Sequence, residues 1–330
     1  MHTRKLGYSD LHLTTIGLGT WAMGGGDWKF GWGPQDDQAS IEAIHAGIDH
    51  GINWIDTAPI YGHGHSEKVV GNAIRGKRDS LIIATKCGRV WEGDSREIGK
   101  SLKRDSIRRE VENSLQRLDI EVIDLYQMHW PEPDEEIEEG WGTIADLIKE
   151  GKVRYGGVSN FSLEQMKRAQ AIYPITSLQP PYNMLRREIE AAVMDYCGEN
   201  QIGIIAYSPM QAGLLTGKFT RERAESLPES DWRSRHPFFN AAQLPLNLQI
   251  VEQLREIADQ KNITLPQLSL AWVLRRKEVT AAIVGARRPQ QIEETAKAGS
   301  VQLDQDEIDR IEAILKWREN ELAGTDPKNL

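Results

Sequence analysis

Between residues 54 and 67 the chain reads WIDTAPIYGHGHSE: an apolar run ends on Asp56, and Tyr61 follows five residues later. Two further apolar runs also end on ionisable groups, LIIATK on Lys86 and VIDLYQMH on His129. An acid, a phenol, an ammonium and an imidazole brought together make a proton-transfer set. A phenol has a reference pKa near ~10 and is a poor acid at neutral pH. An ammonium at ~4 Å favours the phenolate by about 4 kcal/mol at an effective dielectric of ~20. That is roughly 3 pK units, which predicts a phenol drawn toward neutrality. Asp56 then holds Lys86 charged and aimed, and His129 orients a substrate carbonyl oxygen. Such a set suits protonation of an alkoxide as it forms, hence carbonyl reduction. No side chain supplies hydride, so the reaction needs a cofactor. Each residue also has a purely structural reading: an ion pair at a sheet end for Asp56 and Lys86, loop packing for Tyr61, a satisfied rim position for His129. Their joint appearance at the ends of separate runs favours chemistry.

The elements that must position these groups alternate in type. Eight β-rich runs recur: TTIGLGT (14–20), INWID (52–56), LIIATK (81–86), VIDLYQMH (122–129), YGGVSN (155–160), SLQPPYN (177–183), GIIAYSP (203–209) and AAIVGA (281–286). They are continuous rather than alternating, as strands buried on both faces are. Amphipathic segments lie between them, over 39–49, 105–118 with Asp105 as N-cap, 137–149, 162–172, 188–197 and 266–275. Gly51, Gly76 and Gly151 stand where helices would end. Eight β-then-α units predict a (β/α)8 TIM barrel, one domain over 1–330, with a doubly wound sheet as the alternative. RKLGYSDLHL predicts a hairpin closing the bottom. After the seventh run come a long loop, GLLTGKFTRERAESLPESDWRSRHPFFN, and an extra helix over 246–258; a last helix is expected over 306–317. A loop of that length is usually a lid or binding element. Active sites of such barrels lie at the carboxyl ends of the strands. Those ends carry Thr20 and Trp21, Asp56, Lys86, His129, Ser159 and Asn160, Gln179, Tyr207, and Gly285 with Arg287.

On these residues the chain resembles the aldo-keto reductase superfamily. The matching stretches are GLGTW, WIDTAPIYGHGHSE, IIATK, DLYQMHWPEP, YGGVSNFS, QPPYNML, AYSPMQAGLLTGKF and IVGARRPQQIEE, nearly the whole chain. The resemblance implies a catalytic tetrad of Asp56, Tyr61, Lys86 and His129, with Tyr61 as general acid. It implies NADP(H), preferred over NAD(H), and a small carbonyl substrate. Thr20, Trp21 and Asp56 would lie by the nicotinamide, Ser159, Asn160 and Gln179 would hold its carboxamide, and Tyr207 would stack on its ring. Ser208, Pro209, Gly213, Leu214 and Lys218 resemble the loop across the pyrophosphate; Gly285, Arg287, Gln291 and Glu294 resemble the adenosine segment. Many members carry Lys-Ser where Gly285-Ala286 stands and Arg where Gln291 stands. The departures look like the bacterial general-stress and potassium-channel β-subunit branches, and leave Arg287, with Arg288, to read a 2′-phosphate. The channel-subunit likeness also implies the alternative of an NADPH-binding sensor with little turnover.

Composition narrows the partners. Lys and Arg number 40 against 49 Asp and Glu, a net charge of −9 with no basic block, which disfavours nucleic acid and membrane surfaces. No apolar stretch of ~18 residues and no h-region stand out, so a cytoplasmic protein is expected. Cys87 and Cys197 read as small buried hydrophobes. Gly17-Leu-Gly19 matches a relaxed dinucleotide fingerprint, but MGGGDW follows instead of a helix. His63, His65 and Glu67 have no evident fourth ligand, so no metal is expected. Of the ten tryptophans, Trp54 and Trp272 fall in core patterns, whereas Trp21, Trp28, Trp32, Trp91, Trp130 and Trp232 follow strands and are expected to wall a substrate pocket. Oligomeric state is left open.

Overall fold

Eight parallel strands close into a barrel: β1 (Ile16–Gly19), β2 (Trp54–Asp56), β3 (Ile82–Cys87), β4 (Ile123–Met128), β5 (Val153–Ser159), β6 (Ser177–Gln179), β7 (Gly203–Ala206) and β8 (Val279–Gly285). The computed structural model describes all residues except 27, 29, 94, 96, 229, 230 and 325–330. Each strand pairs with its sequence neighbour, and β8 pairs with β1, which excludes the doubly wound alternative. Every residue of β2 and β4 is buried, which is why those runs are continuously apolar. Two runs are longer than their strands. SLQPPYN stops pairing as a strand at Gln179, because Pro180 and Pro181 have no N–H for the ladder. GIIAYSP leaves the sheet after Ala206.

Helices cover the barrel: α1 (Asp37–Asp49), α2 (His65–Ile74), α3 (Arg104–Leu118), α4 (Ile137–Lys149), α5 (Leu163–Gln170), α6 (Ala192–Glu199), the short α7 (Arg221–Glu225), α8 (Leu244–Gln260), α9 (Leu265–Leu274), α10 (Pro289–Ala296) and α11 (Gln305–Ala323). Gly51, Gly76 and Gly151 all have left-handed backbones just past helix ends. Ser162 caps α5 in a capping box with Gln165. Asp105 is not the cap of α3. The helix begins one residue earlier, with Lys103 at the cap, and the Arg104 amide donates to Glu139 Oε1 of α4 at 2.8 Å. That tertiary acceptor replaces a local cap, and Asp105 instead sits in the first turn, where its charge suits the helix dipole. The helix expected over 188–197 breaks into a three-ten turn, Glu188–Glu190, and α6, because Glu190 is drawn inward by Tyr182, Arg187 and Arg275.

The amino-terminal hairpin pairs Thr3–Lys5 with His12–Thr14 and bonds to Asn53 just before β2. Its Leu6, Leu11 and Leu13 pack on Trp54, Leu125, Ile205 and Ile283, plugging the amino-terminal end of the barrel. Gly17 is required there: a Cβ would lie 1.9 Å from the Trp54 ring. The glycine pattern after β1 thus serves core packing, and a three-ten turn, Trp21–Gly24, follows in place of a nucleotide-binding helix. At the carboxyl end, the segment after β7 folds into short turns and α7 before α8, which packs against α11. Glu229 and Ser230 of that loop lie outside the described residues. Among the described residues no helix is long and apolar enough to cross a membrane.

Candidate active site

Asp56 ends β2, Lys86 lies one residue before the end of β3, and His129 directly follows β4. Parallel register therefore sets them side by side at the carboxyl rim. Lys86 is fully buried, and its ammonium donates to Asp56 Oδ1 at 2.7 Å, to the Thr57 carbonyl at 2.9 Å and to the Tyr61 hydroxyl at 3.3 Å. All three of its donors are used. The second carboxylate oxygen of Asp56 accepts from Gln179 at 2.8 Å and Gln127 at 3.3 Å. Tyr61 reaches the lysine from a turn that starts after β2, and its ring stands edge-on to His129 at 5.9 Å between centroids. The four expected residues thus meet.

Their protonation differs from the sequence expectation in one respect. The Tyr61 hydroxyl is pushed above the ordinary phenol range, not drawn toward neutrality. Burial is the largest cause; Lys86 pulls the other way, and Asp56 adds to the rise. In a dry site the loss of phenolate hydration outweighs one ammonium that is already shared with a carboxylate. Burial alone would lower Lys86, but Asp56 and then Tyr61 outweigh it and hold the lysine charged. His129 is held well below the usual imidazole range by burial, with Lys86 and Arg89 adding to the effect, and so stays neutral. The result is a protonated phenol beside a fixed cation and a neutral imidazole.

The expected cofactor residues occupy the same rim and fit a dinucleotide. Ser208, Gln211, Ala212 and Gly213 all have left-handed backbones, with φ of 51°, 45°, 51° and 91°. Three of these are not glycine, and such strain collects at ligand sites; turned backbones of this kind cradle anions such as a pyrophosphate. Pro209 and Leu214 are buried and supply only support and backbone. Lys218 bridges to Glu294 of α10 at 3.3 Å. The Tyr207 hydroxyl donates to Asn160 Oδ1 at 2.8 Å; Asn160 in turn donates to the His129 carbonyl and to Ser159, and Ser159 to the Gln179 carbonyl. Ser159, Asn160, Gln179 and Tyr207 therefore form one network beside the acid–base set. Thr20 turns inward, bonding the Asp56 carbonyl and Ser66, and acts on the site through Asp56.

Arg287 is a correction. Its guanidinium does not stand free for a phosphate: it donates to Gln35 Oε1 at 2.6 Å, to the Trp32 carbonyl at 3.3 Å and to the Pro34 carbonyl, while Gln35 Nε2 donates back to the Arg287 carbonyl. Three neutral loop acceptors, out of reach of any sequence pattern, claim it. Gln291 accepts from the amides of Arg287 and Arg288, and Gly285 lies open at the rim. Arg288 is exposed.

Four of the six expected pocket tryptophans come together. Trp21 stacks between Tyr61 (6.4 Å) and Trp232 (6.2 Å), and Trp28 and Trp32 contact it at 6.4 and 6.0 Å. Trp91 instead contacts His63 and Arg117, and Trp130 is exposed beneath Arg89. His65 pairs with Asp37, and Glu67 with Arg117 and Thr85. Two site residues, Gln127 and Gln35, escaped the sequence reading. Gln127 sits mid-strand, two residues before His129, and only the inward face of β4 marks it. Gln35 lies in a loop. Arg233, which the sequence left open between a clamp on cofactor or substrate and a solvated charge, is buried, paired with Asp231 and set over the Trp32 ring at 4.8 Å.

Comparison with known proteins agrees with this geometry. The profile of the Aldo/keto reductase family matches residues 15–316. The chain is 39% identical to the aldo-keto reductase YhdN of Bacillus subtilis over 96% of this chain and 94% of that one. It is 35% identical to the NADH-specific methylglyoxal reductase of Escherichia coli, over 90% and 93% of the two chains. The solved structure of a glycerol dehydrogenase from Gluconobacter oxydans superposes with a TM-score of 0.88 at 36% identity, covering 96% of this chain and 95% of that one.

Proposed function

Because the chain belongs to the aldo/keto reductase family, in which NADP(H) dependence is typical, we propose that it reduces small aldehydes or ketones reversibly and that Tyr61 is its proton donor. The observation that carries this reading is the Asp56–Lys86–Tyr61 chain of contacts, with its lysine saturated and its phenol protonated. NADP(H), when bound, supplies the hydride. The carbonyl oxygen is received between the Tyr61 hydroxyl and the neutral His129, which donates without carrying charge. As negative charge grows on that oxygen, Tyr61 passes its proton and Lys86 stabilises the phenolate left behind. The cost of a buried phenolate keeps the proton on Tyr61 until an alkoxide accepts it. Ser159, Asn160 and Gln179 would hold the carboxamide, Tyr207 would support the nicotinamide ring, and the backbone from Ser208 to Leu214 would cradle the pyrophosphate.

With Arg287 engaged by the loop at 32–35, we assign the reading of a 2′-phosphate to the exposed Arg288. NADP(H) preference rests on that residue; the NADH-specific name of the Escherichia coli relative makes it a point for titration of both cofactors. Cytoplasmic residence fits the two buried free cysteines, Cys87 and Cys197.

The test is NADPH oxidation with a panel of short aldehydes and ketones, beside Tyr61→Phe. Turnover that falls by roughly 10²–10⁴ in the variant, with NADPH binding retained, is expected. Tight NADPH binding with no oxidation across the panel would replace the reductase with a cofactor-sensing subunit.

A further inference from the structure

Side chains inside a barrel of this kind stack in layers drawn from alternate strands, and those layers are ordinarily branched and apolar. The layer that holds Asp56 of β2 is polar instead. Gln127 of β4 and Gln179 of β6 join it, and all three side chains are buried. They close a triangle. Gln179 Nε2 donates to Asp56 Oδ2 at 2.8 Å and to Gln127 Oε1 at 3.2 Å, and Gln127 Nε2 donates to the same Asp56 oxygen at 3.3 Å. A carboxylate paired with Lys86 can only accept, so it fixes which end of each amide faces it. Both N–H groups of Gln179 are then used, and its Oε1 has no donor among the described residues. Gln127 reaches across β5 because Gly157, its partner in register there, has no side chain: a Cβ would lie 3.1 Å from Gln127 Cγ.

We propose that Gln127 is a positioning residue for the cofactor: it locks the Gln179 amide with its carbonyl oxygen turned outward, as an acceptor for the carboxamide NH2 of the nicotinamide. This rests on the reading above in which Gln179 holds that carboxamide. Two acceptors on one nitrogen fix the plane of the Gln179 amide, whereas a single acceptor leaves the amide free to swing about that bond. The polarity of the holder is thus set from Asp56 through Gln127, and a dinucleotide without a donor at this place is disfavoured. The triangle also joins the cofactor holder to the acid–base set, because Asp56 turns its other oxygen to Lys86 at 2.7 Å.

The test uses NADP⁺ and its 3-acetylpyridine analogue, in which a methyl group replaces the carboxamide NH2. Their affinities are measured by quenching of tryptophan fluorescence in the wild type and in Gln127→Met, which keeps the length of the side chain and removes both polar atoms. The wild type should bind NADP⁺ roughly five- to tenfold more tightly than the analogue, the contribution of one hydrogen bond, and Gln127→Met should reduce that ratio to less than about twofold. A merely structural role would weaken both nucleotides alike and leave the ratio where it was. An unchanged ratio in the folded variant, or equal affinities in the wild type, overturns the proposal. If Gln127→Met does not fold, Gln127→Leu takes its place; if neither folds, the wild-type ratio decides, a clear preference for NADP⁺ supporting the fixed acceptor and its absence overturning it. The ratio is a binding measurement and needs no turnover. Failure to reduce any carbonyl compound would therefore end the reductase reading and leave the ratio to decide on Gln127, whereas binding of neither nucleotide would overturn both.

Discussion

Lys86 donates three hydrogen bonds, and Asp56 receives three from Lys86, Gln127 and Gln179, so each charge is fixed by the other and by neutral amides. Replacing Lys86 with Met leaves a buried carboxylate unpaired, and a loss of about 3–5 kcal/mol of stability is expected together with activity; urea unfolding beside the kinetic assay measures both. The pH dependence follows from the directions of the shifts. Tyr61 and Lys86 are both held above their ordinary values, so phenol and ammonium stay protonated through neutrality and lose protons only at alkaline pH. His129 is held below its ordinary value and is neutral throughout the same range. The reductive kcat should therefore be flat from about pH 6 to 9, without an inflection near the ~6.5 of free imidazole. An inflection there, removed by His129→Asn, would show a charged histidine in the working site.

Two contacts between elements make further predictions. The loop that carries Trp32 is tied to the start of α10 by the reciprocal Gln35–Arg287 bonds. Gln35→Ala should loosen that wall, raising substrate KM severalfold with little change in kcat or in NADPH affinity. A fall in NADPH affinity alone would assign the clasp to the cofactor instead. On α3, Glu110 is buried and accepts from the Gly88 amide at 2.8 Å and from Ser106 at 3.0 Å. Burial raises its pKa from 4.5 to about 7, against those two bonds. A raised acid binds more protons folded than unfolded between these values, so stability falls as pH rises from about 4.5 to 7. That rise corresponds to on the order of 3 kcal/mol. Thermal unfolding should show Tm declining over that window, with Glu110→Gln flattening the decline.

At the scale of the molecule, the two ends of the barrel do different work. Leu13 in the hairpin plug is fully buried. Leu13→Ala is expected to cost about 2–5 kcal/mol in denaturant unfolding while kcat at 25 °C is unchanged. A large loss of kcat in folded protein would contradict that division. The sequence carried the barrel and the tetrad because both rest on local signals. Continuous apolar runs mark strands buried on both faces, and Asp56, Lys86 and His129 lie at or next to the ends of such runs, where parallel register brings them together. The hairpin plug was legible in RKLGYSDLHL. Asp105 misled because a cap pattern cannot show that Glu139 of the next helix accepts from the Arg104 amide and lets the helix start earlier. Arg287 misled because its acceptors come from a loop some 250 positions away; Gln127 was passed over, and Arg233 left open between clamp and solvated charge, because burial of a polar side chain has no pattern of its own. The Tyr61 proton affinity lay furthest from reach. Spacing gives the lysine that lowers it, whereas the dryness that raises it is a property of the closed, packed rim. What the sequence determined by itself is which groups meet; the tertiary structure alone decided how they are charged, because hydration is lost only when the whole chain packs.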